Sequence, residues 1–179
     1  MKIKEEEDRM GKEKKVGEEM KSVNGDMELN YYRIPFFTDA KEKGMPFIRI
    51  SEGAFKGIIM VIDTGSTDNI MFGYAYQQLQ DRMIPLEETV NQIGIDGIGT
   101  TRKMASGVLS FCGEEYEMTF VVREDNVAGI ELSKEMGFPI AGLIGTYFMA
   151  EQGWMIDFMK QEIVIPVMDL GDKVLDTVE

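Results

Sequence analysis

Histidine is absent from all 179 residues, and cysteine occurs once, as Cys112. One cysteine forms no intramolecular disulfide and supplies no metal-site spacing. Without histidine, zinc enzymes, Ser-His hydrolases and Cys-His proteases fall away. No metal and no cofactor is expected. Long apolar runs are missing too: nothing approaches the roughly eighteen residues that a membrane-spanning helix needs. Cations are scarce beside anions, 19 Lys and Arg against 32 Asp and Glu, for a formal net charge of −13. Such a surface repels the phosphates of nucleic acid and of anionic membranes, so neither is an expected partner. The opening MKIKEEEDRMGKEKK lacks the apolar core of a signal peptide. With residue 1 taken as the natural start, the expected location is cytoplasmic.

Hydrophobic residues make up 44% of the chain, near the globular average, so most of it should fold around one core. Residues 1–28 alternate Lys and Glu with few large apolar side chains and read as a charged, loosely ordered tail. The folded domain is expected over 29–168, followed by an acidic C-terminal tail at 169–179. Within the domain, short apolar runs punctuated by glycine predict strands at 46–51, 57–62, 107–111, 116–122, 142–145, 154–158 and 162–166. Gly113 between two of these runs predicts a hairpin. Short helical patterns cover 73–81, 132–136 and 146–152. The expected class is mainly β, a barrel or a sandwich.

One run ends on an acid. Residues 59–67 read IMVIDTGST, an apolar stretch leading straight into Asp63, Thr64, Gly65 and Ser66. An unpaired buried carboxylate is costly, so Asp63 either caps the N–H groups of an ordinary turn or belongs to a site. About thirty residues later comes a glycine-rich segment, Ile93-Gly94-Ile95-Asp96-Gly97-Ile98-Gly99. The predicted hairpin, Gly142-Leu143-Ile144-Gly145 with a short helix behind it, and Trp154-Met155-Ile156-Asp157-Phe158 follow in that order.

Together these features resemble the retropepsin-like aspartic proteases, single-domain relatives of the retroviral enzymes, over about Tyr32 to Val167. The resemblance implies a closed-barrel-like acid-protease fold with one or two short helices, acting as a homodimer. Each chain would supply one Asp63, the catalytic residue. Two carboxylates about 3 Å apart cannot both ionise, so the pair shares a proton. One carboxylate activates water and the other polarises the scissile carbonyl. Thr64, Gly65 and Ser66 would support the active-site loop, Thr64 by bonding across the two-fold axis and Ser66 by donating its hydroxyl to a carboxylate oxygen. Ile95, Gly97, Ile98 and Gly99 would form a flap over an extended peptide or unfolded-protein substrate. Leu143 and Ile144 would shape the pocket wall.

Three positions depart from the family pattern. Retroviral members pair an Asp two residues after the motif glycine with an Arg after the later Gly-bounded strand; Thr67 and Thr146 stand there instead. Many bacterial relatives carry an Asp where Tyr147 stands. Loss of both ion-pair members together predicts an alternative local packing. Two other readings stay open: an inactive dimeric peptide-binding or scaffold module with the same fold, and a heterodimer whose second Asp comes from another protein.

Overall fold

The structure is a computed structural model that describes residues 30–38, 44–93, 99–125 and 127–167. Both expected tails, 1–28 and 169–179, lie outside the described residues. Ten strands form two sheets among the described residues. In the smaller, β10 (Glu162–Val167) lies between β1 (Asn30–Pro35) and β9 (Met155–Asp157), antiparallel to both. The larger contains β2 (Phe47–Arg49), β3 (Ile59–Asp63), β4 (Ile70–Phe72), β5 (Ile84–Ile93), β6 (Gly99–Phe111), β7 (Glu114–Arg123) and β8 (Gly142–Gly145). Its spatial order is β2-β3-β8-β4-β7-β6-β5. The expected closed barrel is not formed: β2 and β5 end the larger sheet, and only the single bridges Phe37–Phe47 and Glu52–Ser110 extend the pairing. β2 is only three residues long, too short to carry a ladder around to another edge.

Helices exceed the one or two that the resemblance implies and overlap all three helical patterns read from the sequence, 73–81, 132–136 and 146–152. Among the described residues they are α1 (Gly73–Leu79), α2 (Val127–Met136) and α3 (Thr146–Glu151), with a 3-10 turn at Gln80–Arg82. None is long and apolar enough to cross a membrane.

The order within the larger sheet explains the unbroken apolar run before Asp63. β8 pairs parallel to β3 and antiparallel to β4, so a strand from late in the chain lies between two early ones. Both faces of this part are covered, and a strand buried on both faces loses the usual alternation. Met60 and Ile62 enter the main core with Ile48, Met71 and Ile144. Ile59 and Val61 face a second cluster with Phe47, Ile70, Phe72 and Ile140, overlaid by Leu132 and Met136 of α2. The hydroxyl of Tyr74 bonds the Ile140 carbonyl, and Ser133 Oγ accepts the Ile140 N–H at 3.0 Å, which pins α2 to the segment entering β8.

The predicted hairpin is present as β6 and β7, closed where Phe111 pairs with Glu114. Cys112 and Gly113 both take positive φ, 55° and 86°, the twist that a two-residue hairpin turn requires. Trp154, 7% exposed, packs edge-on against Phe111, Tyr116 and Phe148. It is a core side chain.

Candidate active site

Asp63 is the last residue of β3 and pairs with Gly145 of β8. It is half-buried, while Thr64 and Gly65 beyond it are exposed. The chain turns back at once: the Ser66 N–H bonds the Asp63 carbonyl at 3.2 Å, and the Gly65 N–H donates to Asp63 Oδ1 at 2.9 Å. A Cβ on Gly65 would lie 3.2 Å from that oxygen, so glycine lets backbone and carboxylate approach this closely. The Ser66 hydroxyl does not go to the Asp63 carboxylate as expected; it donates to the Asp68 carbonyl at 2.8 Å. Its geometry closes the turn instead.

The loop is fixed from behind by the start of α3. Ser66 O accepts both the Thr146 N–H at 2.8 Å and the Thr146 hydroxyl at 3.0 Å. Thr67 O accepts the Tyr147 N–H at 3.1 Å. At Thr67 and Thr146, where the resemblance led us to look for an ion pair, the loop is held instead by backbone bonds and one threonine hydroxyl. Tyr147 turns its ring outward and is 75% exposed.

Asn69 completes the frame. Buried at 9% exposure, it accepts the Gly145 N–H at 3.0 Å and donates to the Thr119 carbonyl at 3.1 Å. One side chain thereby joins the loop, β8 and β7. Farther out, Gln92 of β5 reaches Asp68 Oδ2 at 3.5 Å.

Asp63 opens into a cleft of about 400 Å³, walled by Met45, Val61, Phe72, Leu132 and Leu143, with Arg123 its one cation among the described residues. Leu143 was expected on such a wall. Ile144, expected beside it, is fully buried in the main core, because successive residues of a strand face opposite ways. Of the expected flap residues, Gly99 begins β6, whereas Ile95, Gly97 and Ile98 lie outside the described residues.

Sequence reasoning missed Asn69 and Arg123. Arg123 had a signal like that of Asp63: residues 119–123 read TFVVR, an apolar run ending on a charge. At its end three cations meet two acids. Arg102 donates to both oxygens of Asp125 at 2.9 Å, and Lys103 Nζ donates to Glu124 at 2.9 Å. Arg123 Nε stays 3.8 Å from Asp125 Oδ1. The Arg102 hydrogen bonds, then its charge, hold the Asp125 carboxyl below the usual range; the Glu124 hydrogen bond raises the exposed Lys103 amine. Among the described residues, no group of three His, Cys, Asp or Glu side chains could hold a metal ion. No protein-family model matches the chain, and no curated protein matches its sequence.

Proposed function

We propose that the chain is a retropepsin-like aspartic endopeptidase, active as a homodimer in which each chain supplies one Asp63. The observation that carries this reading is the geometry of the Asp63 loop. A carboxylate at the end of a doubly buried strand is held by a glycine N–H at 2.9 Å, backed by α3 and opened onto an apolar cleft. A turn that merely capped itself would need neither the cleft nor the half-exposed acid. The insertion of β8 between β3 and β4 supports the finer fold reading.

In the assembled site, one carboxylate of the shared-proton pair removes a proton from a water held between them. The water oxygen attacks the scissile carbonyl carbon, while the protonated partner donates a hydrogen bond to the carbonyl oxygen. The tetrahedral intermediate collapses as a proton passes to the amide nitrogen. The C–N bond breaks and leaves an acid and an amine. The apolar walls suit extended apolar segments of peptides or unfolded proteins, and exposed Thr64, Gly65 and Tyr147 offer the surface for the second chain.

The test uses the purified protein and its Asp63→Asn variant on a library of apolar peptides at pH 4 to 7. Cleavage by the native chain and its loss in the variant are expected. Undiminished cleavage by Asp63→Asn would overturn the proposal.

A further inference from the structure

Asp63 and Arg123 line the same cleft, yet they stand on strands three positions apart in the sheet. Asp63 is level with Gly145 at the upper end of β8, whereas Arg123 is level with Phe72 at the lower end of β4. With strands about 4.8 Å apart and about 3.3 Å per residue along them, the backbones are separated by roughly 15–20 Å. An extended peptide covers that span in about five residues.

The wall between the two is apolar, formed by Val61, Leu143, Phe72 and Leu132. Among the described residues, the guanidinium at its far end is only weakly neutralised. Asp125, its nearest acid, is already taken by two 2.9 Å bonds from Arg102, and Glu124 is taken by Lys103. Among the described residues Arg123 has one ion-pair partner, at 3.8 Å, and its side chain is 35% exposed. On a chain of net charge −13, a weakly paired arginine at the end of an apolar groove is a place where an acidic group would be attracted. Its planar fork matches a carboxylate.

We infer that Arg123 selects the substrate: it receives an acidic side chain of an extended peptide, about five residues from the bond at Asp63, with apolar side chains filling the cleft between. This inference rests on the endopeptidase reading for its register, but its recognition chemistry is testable without turnover. Arg123 is here a substrate-binding residue and has no part in the bond-breaking step.

The test measures binding of fluorescein-labelled octapeptides of Ala, Leu and Phe, with a single Glu or Gln stepped along the chain and the C-terminus either free or amidated. Binding is measured to the Asp63→Asn protein, alone and combined with Arg123→Gln or Arg123→Lys. At one position Glu should bind about tenfold more tightly than Gln, the scale of one charge-assisted bond. Arg123→Gln should bring the ratio to about one, and Arg123→Lys should retain part of it. Equal binding of Glu and Gln peptides overturns the inference, as does a ratio unchanged by Arg123→Gln. A preference for the free C-terminus alone, with internal Glu indifferent, also overturns it. If Glu preference depends on Arg123 but the native protein cleaves none of the peptides, the endopeptidase reading fails with the register, and acid recognition by Arg123 stands.

Discussion

Asp63 and Gly145 are partners across the parallel pairing of β3 and β8, and the Gly145 backbone presses directly on the loop that follows Asp63. A Cβ at Gly145 would lie 2.4 Å from the Asp68 carbonyl oxygen and 2.8 Å from that of Thr67. Both are main-chain atoms that no rotamer change can move.

Gly145→Ala should therefore destabilise the fold by about 3 kcal/mol, at the upper end of ordinary overpacking penalties, and displace the Asp63 loop. Urea denaturation followed by Trp154 fluorescence measures the first effect. Activity lost in protein that is still folded would report the second. A midpoint equal to that of the native chain would contradict the packing described.

Asn69→Leu keeps the branched shape of the side chain but removes both hydrogen bonds at a buried position. The Gly145 N–H and Thr119 carbonyl then lose their side-chain partner, at a cost of about 2–3 kcal/mol. Thr146→Val is the contrasting case. It removes one hydroxyl bond to Ser66 O while the backbone bond to the same oxygen remains, so it should cost no more than about 1 kcal/mol. The order of the two denaturation midpoints checks the argument.

The Arg102–Asp125 pair makes stability pH-dependent in a definite direction. Asp125 has a depressed folded-state pKa, so its contribution is present above the unfolded value of about 4 and lost as pH falls through the lower folded value. Asp125 is 53% exposed, which limits the effect to under about 1 kcal/mol. Asp125→Asn should be slightly less stable than the native chain at pH 7, and the gap should close on acidification. A gap that widens toward low pH would reverse the sign.

Tyr116 gives the opposite sign. Burial, aided by the Glu114 carboxylate, raises its phenol pKa above the ordinary value. The neutral form favours folding, so its contribution is complete below about pH 10 and declines as pH rises through the folded value. Absorbance titration near 295 nm should show one late-ionising phenol that disappears in Tyr116→Phe.

On the dimer reading, Tyr147→Glu replaces an exposed ring beside the Asp63 loop with a charge. The variant should weaken self-association at least about tenfold, as loss of an aromatic anchor does, while leaving the denaturation midpoint nearly unchanged. Sedimentation at micromolar concentration reads the first quantity. Unaltered association would remove Tyr147 from the interface.

Local pattern alone determined much of this chain. The run before Asp63, the Gly65 turn, the β6–β7 hairpin and the Gly142–Gly145 strand are legible because apolar periodicity and glycine act over a few neighbouring residues. β1, β4 and β5 were not legible. β4 is three residues long, and edge strand β5 carries Pro85 and a bulge at Glu87 and Glu88 that break its alternation. Tertiary structure decided what no local pattern encodes: that β8 enters between β3 and β4, that Thr146 bonds Ser66 O behind the Asp63 loop, that the sheet stays open, and that Arg123 shares a cleft with Asp63. Each depends on pairing between segments far apart in sequence, where long-range packing rather than neighbouring residues selects the partner. The sequence supplied the acid and its turn, and the long-range packing supplied the cleft and the cation across it.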